Sequence, residues 1–210
     1  CHDRAIHQGE WSKNTFLNLT RTLNNKVVGI IGGGNIGRQV AARVQAFGSI
    51  VQYYDPFRLP EEMEEKLHMK YVGLEELIRT SDVITLHVPL MDSTRHMIGE
   101  KEIEKMKNGA ILINVARGGL MDDEAVVKAV NSGKLSGAGI DCVEEEPAKP
   151  GNPILENPNI IVTPHVGGGS ADISDVMFPM ITGNIELLAI GKELKYVVNK
   201  QYLEGNNKKL

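Results

Sequence analysis

The residues that most restrict the fold are Gly32-Gly33-Gly34-Asn35-Ile36-Gly37, with glycine at the first, third and sixth positions of a hexapeptide. The run Lys26–Ile31 before them is short, apolar and rich in branched residues, which reads as a buried strand. After them Ile36, Val40, Ala41, Val44 and Phe47 recur at helical spacing, and Gly48 is a plausible stop. A strand, a glycine turn and a helix in this order have a specific chemistry. Gly32 allows the tight turn, Gly34 lets the backbone approach a pyrophosphate, and Gly37 lets helix and strand pack closely. The helix start offers free N–H groups and a positive dipole end to phosphates, so Asn35 and Ile36 join the candidate site. Asp55 closes the next strand, Ile50–Tyr54, 18 residues past Gly37. A carboxylate there accepts both ribose hydroxyls of an adenosine and repels a 2′-phosphate, which predicts NAD in preference to NADP. Arg58 lies close by and weakens that exclusion slightly.

The rest of the chain continues the alternation. Leu74–Thr80 reads as a helix, Val83–Val88 as a strand closed by Pro89, and Ala110–Val115 as a buried strand. Asp123–Asn131 is helical with Gly133 after it, and Ser136–Ile140 and Ile160–Thr163 are short strands. Ala171–Ile190 reads as a long C-terminal helix. Strands alternating with helices predict an α/β protein, a Rossmann-type doubly wound parallel sheet with helices on both faces. The expected divisions are a polar, irregular arm at 1–25, a dinucleotide-binding domain at 26–168, a C-terminal helix within 169–198 and a polar tail at 199–210. The charge run Glu61–Lys66 reads as a solvated helix face.

Composition excludes several classes. With 23 basic and 27 acidic residues the net charge is −4, which argues against a nucleic-acid partner. No apolar run approaches the ~20 residues of a membrane span, and no signal peptide is visible. Cys1 and Cys142 form no disulfide framework and sit in no metal-ligand spacing, and the six histidines show no H-E-x-x-H pair. No metal site is therefore expected, and a reducing, cytoplasmic setting is the default. The chain opens Cys-His-Asp without methionine, which implies a removed N-terminus or a longer parent protein.

Arg117, Glu146 and His165 sit near the ends of the later strands, where open α/β sheets bind ligands. Singly, each has an ordinary reading: a brace at a helix start, part of a solvated acidic run Glu144–Glu146, and a loop histidine. Their surroundings point elsewhere. Asn114-Val115-Ala116-Arg117-Gly118-Gly119 followed by Asp122-Asp123 resembles the N-x-A-R-G segment of the D-isomer-specific 2-hydroxyacid dehydrogenases. Gly137-Ala138-Gly139-Ile140-Asp141-Cys142-Val143-Glu144-Glu145-Glu146-Pro147 resembles that family's G-A-x-x-D-V-x-x-x-E-P segment, and Thr163-Pro164-His165-Val166-Gly167-Gly168 its T-P-H-x-x-G segment. His87-Val88-Pro89-Leu90 with Thr94, Trp11 and Tyr196-Val197-Val198-Asn199 also look familial. The resemblance runs from about Ala5 to Asn199, with Cys142 standing where a valine is common.

The resemblance implies an NAD-dependent oxidoreductase acting on a small 2-oxo or 2-hydroxy acid. Arg117 would hold the substrate's carboxylate and keto oxygen with its donor fork. His165 would exchange a proton with the carbonyl oxygen, and Glu146 would orient the ring and favour its protonated form. Asp141 would hydrogen-bond the nicotinamide carboxamide. The implied cofactor-binding set adds Pro56, His87, Val88, Pro89, Thr94, Val115, Ala116 and Gly167, besides Arg117 and His165. Glu146 weakens a formate dehydrogenase reading, since those relatives use glutamine there. The resemblance also implies a separate substrate domain whose first part is absent here, so that the chain alone has little activity. It implies a homodimer through the nucleotide domain, with the segment around Trp11 crossing to the partner. Two alternatives are an NAD-sensing corepressor-like scaffold on the same fold and a free-standing nucleotide-binding module.

Overall fold

A computed structural model of the chain describes residues 2–11 and 20–197. It divides into two compact units, Cys1–Gly167 and Gly168–Leu210. The tail at 199–210 lies outside the described residues.

The first unit is built on one sheet of seven parallel strands in the order β3-β2-β1-β4-β5-β6-β7. The strands are β1 (Val27–Ile31), β2 (Ile50–Tyr54), β3 (Met69–Tyr71), β4 (Val83–Leu86), β5 (Ala110–Asn114), β6 (Leu135–Ile140) and β7 (Ile160–Val162). The helices between them are α2 (Asn35–Ala46), α3 (Glu61–Leu67), α4 (Leu74–Thr80), α5 (Glu100–Lys105), α6 (Asp123–Asn131) and α7 (Pro153–Glu156). Alternation within the strands feeds two cores, one per face. Val28 and Ile30 of β1 pack with Ala41 of α2, Val51, Tyr53 and Met69. Ile31, Ile84, Leu86 and Leu112 face the larger core, with Leu77 of α4, Ile103 of α5 and Val126 and Val130 of α6. In β1 and β4 side chains on both faces are buried, so these strands read as continuous apolar runs, whereas Ile111 of β5 and Ile161 of β7 are exposed.

Several elements depart from the sequence reading, among them α5 and α7, for which it predicts no helix. The opening residues, expected to be irregular, include α1 (His2–His7), because nothing breaks a helix before Gly9, whose φ of +83° ends it. β3 was not visible in the sequence, being three residues long at the sheet edge without an apolar run. Another departure concerns the charge run in α3, which is not wholly solvated. Glu64 is buried, and its carboxylate accepts from Tyr53 Oη at 2.5 Å and from Arg58 Nε and Nη2 at 2.8 Å each. These bonds, Arg58's first and Tyr53's second, hold the Glu64 carboxyl down at about 2, while burial and Glu64 push the Tyr53 hydroxyl up to about 12.

The second unit contains α8 (Ile173–Ala189), apolar around much of its circumference, with Pro179 inside it and no buried residue. Among the described residues no helix is long and apolar enough to cross a membrane.

Glu64 makes the fold acid-sensitive with a defined sign. Its folded-state value lies below the ordinary 4.5, so its contribution is complete above pH 4.5 and is lost as pH falls toward 2. Urea titrations between pH 6 and pH 2.5 should show Glu64→Gln less stable than wild type at pH 6, with the difference shrinking as the pH falls. A difference independent of pH would show that the pair does not carry that charge-linked stability.

Candidate active site

The strand order reverses between β1 and β4, so the turn after β1 opens into the crevice where doubly wound sheets bind ligands. His87 N–H donates to the Ile31 carbonyl at 2.7 Å, which draws the ends of β4 and β1 together. Gly32 turns there with φ +110°, and a Cβ on it would lie 2.5 Å from the His87 carbonyl oxygen. A Cβ on Gly37 would come 2.0 Å from the Gly32 carbonyl oxygen. These two glycines let α2 start directly above the turn. A Cβ on Gly34, by contrast, meets nothing within 4 Å, so the backbone there faces open space. The start of α2 has no side-chain cap and no acidic residue in its first turn, whereas α3 to α8 each carry an Asp or Glu there. An anion beside Asn35 and the exposed Ile36 meets free donors and no competing carboxylate. The turn fits a pyrophosphate.

Asp55 lies at the end of β2 against this turn. Its Oδ2 accepts from Gly33 N–H and its Oδ1 from Phe57 N–H, both at 2.8 Å. A carboxylate offers about four acceptor sites, so roughly two are left for hydroxyls of a ribose. Pro56 follows on the surface. Arg58, expected to soften the exclusion of a 2′-phosphate, has two donors of its fork on Glu64 and its guanidinium 5.1 Å from the Tyr71 ring centroid.

Across the switch point, the His87 ring is half-buried with Nε2 3.0 Å from Thr85 Oγ1, and burial pushes it down to about 4, so it is neutral at pH 7. Val88 packs toward Gly32, its Cγ1 3.1 Å from where a Cβ there would sit. Thr94 Oγ1 donates to the Pro89 carbonyl and accepts from Met91 N–H, each at 2.8 Å, which pins the loop that carries Pro89. After β5, buried Asn114 uses both ends of its amide on the next loop: Nδ2 donates to the Arg117 carbonyl at 2.9 Å and Oδ1 accepts from Ala116 N–H at 3.1 Å. That clamp fixes Val115, Ala116 and Arg117. Sequence reasoning quoted Asn114 without giving it this part, although it opens the N-x-A-R-G segment.

Asp141 organises the third wall. It is buried, and its Oδ1 accepts from Thr163 Oγ1 at 2.5 Å and Val166 N–H at 2.9 Å, its Oδ2 from Gly167 N–H at 2.8 Å. Burial raises its carboxyl, but the Thr163 hydroxyl, the two amides and His165 outweigh burial and leave it below the ordinary range. One acceptor site of Oδ2 stays open, compatible with a carboxamide donor. The same clamp holds His165 in the left-handed region at φ 54°, with its N–H on the Asp141 carbonyl at 2.8 Å. The His165 ring meets Glu146, Nδ1 to Oε2, at 2.8 Å. An apolar cleft of about 400 Å³ opens beside this pair, walled by Val143, Pro147, Leu155 and Val162.

The acidic run is exposed, yet each of its members has a partner. Glu144 pairs with His96 at 3.0 Å, Glu145 with Lys149, and Glu146 with His165. Cys142 sits at the centre of the candidates. Its thiol donates weakly to the Ala116 carbonyl at 3.5 Å. Burial, Glu146 and Asp141 push the thiol up against the opposing pull of Arg117. Ligand atoms of Cys142, Glu146 and His165 lie within 4.8 Å of one another, the single such group of metal-ligand types among the described residues. Linear spacing could not show this grouping, because His165 arrives from a different strand.

Residues 1–167 match the NAD-binding domain of the D-isomer specific 2-hydroxyacid dehydrogenases. The chain belongs to that family. It is 36% identical over 204 residues to a glyoxylate reductase of Korarchaeum cryptofilum, covering 96% of this chain and 61% of that protein. The crystal structure of a glyoxylate reductase from Paecilomyes thermophila superposes with a TM-score of 0.84 at 40% identity, covering 95% of this chain and 59% of that one. D-lactate dehydrogenase with NAD+ from Lactobacillus jensenii gives 0.81 at 31% identity, with 93% and 62% covered. The chain thus spans about three fifths of these relatives. The cofactor is NAD, as the family's domain and the open phosphate turn agree.

Asp55→Ala should weaken NADH binding by about 1–3 kcal/mol, the range for losing a charged hydrogen-bond partner. Calorimetry with NADH and NADPH checks it, and NADPH should gain relative to NADH. An unchanged ratio would place the ribose elsewhere.

Proposed function

We propose that the protein is an NAD-dependent oxidoreductase that interconverts a small 2-oxo acid and its D-2-hydroxy acid. The observation that carries this reading is the 2.8 Å contact between His165 Nδ1 and Glu146 Oε2 at the carboxyl edge of a sheet whose switch point holds the phosphate turn. Bound NAD(H) supplies or accepts the hydride. The residues of the chain supply the rest. Glu146 fixes the tautomer by accepting from Nδ1, which leaves Nε2 as the atom that exchanges a proton with substrate oxygen. A carbonyl being reduced gains negative charge on oxygen, and a proton delivered from Nε2 neutralises it; in the reverse direction Nε2 takes the hydroxyl proton. Arg117, exposed on the Asn114-clamped loop, has the planar fork that pairs with a carboxylate. Asp141 keeps the loop of His165 in register and offers its open acceptor site to the carboxamide. Glyoxylate reductase and D-lactate dehydrogenase among the relatives support the substrate class.

Further parts of the reading concern assembly. The indole of Trp11 is 84% exposed within the chain, which supports a homodimer in which a partner covers it. A cytoplasmic setting agrees with the free, buried Cys142 thiol. About two fifths of each relative's length lies outside the match, which supports a substrate domain outside this chain and little turnover by the chain alone.

The test is NADH oxidation with a panel of small 2-oxo acids, using the enzyme at the family's full length. His165→Ala should lower kcat by about 10²–10⁴-fold, the usual worth of a positioned acid, with NADH affinity unchanged. Glu146→Gln keeps an acceptor for Nδ1 and should lose less. Full activity in His165→Ala would remove the histidine from the chemistry. Sedimentation of the chain should show a dimer, and Trp11→Ala should shift it toward monomer; a monomer at all micromolar concentrations would exclude the dimer.

A further inference from the structure

Around Asp55 the structure holds a second device that sequence spacing does not reveal. Asp55–Pro60 contains one cation, Arg58, three residues beyond the carboxylate that faces the ribose position. Three residues of chain span at most about 11 Å, so Arg58 starts within side-chain reach of a phosphate on that ribose. A free arginine there would favour NADP, because its planar fork pairs bidentately with phosphate. It is not free. Nε and Nη2 each reach a separate oxygen of Glu64 at 2.8 Å, and the Tyr71 ring lies 5.1 Å below the guanidinium. Glu64 is itself held. Its side chain is only 10% exposed, Tyr53 Oη donates to it at 2.5 Å, and that hydroxyl accepts from Leu59 N–H at 2.9 Å. The loop is thus tied at one end by Asp55 to Gly33 and at the other by Leu59 to Tyr53.

We propose that Glu64 is a specificity-determining residue for the dinucleotide: by occupying the donor fork of Arg58, it keeps the nearest cation of the loop away from a 2′-phosphate. The discrimination against NADP then has two separable parts. Asp55 repels the phosphate, and Glu64 withholds the cation that would attract it. The proposal rests on the NAD reading of the glycine turn and deepens it. The carboxylate stays ionised far into acid, since Arg58 and Tyr53 hold it near 2, so the lock is closed throughout the physiological range. The other arginine near the turn, Arg38, has its Nε on the Gly34 carbonyl at 3.3 Å and Nη1 on Met63 Sδ at 3.2 Å, and serves as the control.

The experiment is a fluorescence titration of the 210-residue chain with NADH and with NADPH at pH 7, with folding checked by circular dichroism. The background is Asp55→Ser, which removes the repulsion. Adding Glu64→Gln should raise the NADPH-to-NADH affinity ratio by about tenfold, the worth of one charged hydrogen-bond pair. Adding Arg58→Ala to that double variant should abolish the gain. Arg58→Ala with Glu64 intact should leave the ratio within about twofold, because the arginine is already committed. That last variant needs no change at Glu64, so it tests the proposal even where Glu64→Gln does not fold. A folded Glu64→Gln variant with an unchanged ratio overturns the proposal. So does a gain that survives Arg58→Ala, which would assign it to Arg38, or a large fall on Arg58→Ala alone. A wild-type chain that binds neither dinucleotide overturns the cofactor reading, and the proposal with it.

Discussion

Seven strands that all run the same way deliver every strand-to-helix turn to one edge of the sheet. The candidate site exists because of this constraint. A parallel pair cannot be joined by a tight hairpin, so each connection carries a helix and returns to the opposite edge. The turns after β1, β2, β4, β5, β6 and β7 therefore line one edge, although their residues run from Gly32 to Gly167. Where the order reverses, between β1 and β4, the two chains diverge and leave room. The 2.5 Å that would separate a Cβ of Gly32 from the His87 carbonyl oxygen measures how tightly the divergence begins.

Carboxylates bound to main-chain amides keep that edge in shape. Asp55 holds Gly33 and Phe57, and Asp141 holds Val166 and Gly167, while Asp82 holds Val27 at the opposite edge, where β1 and β4 begin. Each satisfies N–H groups that a loop cannot pair with itself, and each ties a turn to a neighbouring strand end. Such groups are costly to bury alone and specific once paired. Asp141 shows the consequence for chemistry. Its three donors fix the loop backbone, the loop backbone fixes His165 at a positive φ, and only then does the ring meet Glu146.

Much of this was legible in the sequence because it depends on local spacing. The glycine hexapeptide with its strand and helix, the helices Leu74–Thr80 and Asp123–Asn131, and the α/β alternation all follow from periodicity and from residues with special backbone freedom. Gly32, Gly37 and Asp55 were assigned from chemistry that needs those residue types at that distance, and the structure gathers them around one turn after β1. The motif around His165 pointed to Glu146 only through resemblance; spacing alone allowed a solvated acidic run.

The sequence by itself determined most of the longer strands and helices and which turn is built for phosphate, since hydrophobic period and glycine placement act over a few residues; short elements such as β3 and α7 carry too little of that period to be read. Tertiary structure decided the partners. Whether Arg58 faces a ligand or Glu64, whether Glu144 meets His96, and whether Cys142 stands near His165 depend on elements brought together from distant parts of the chain. A charge in a sequence has no address until packing sets its neighbours and its access to water, and these fix what the charge does.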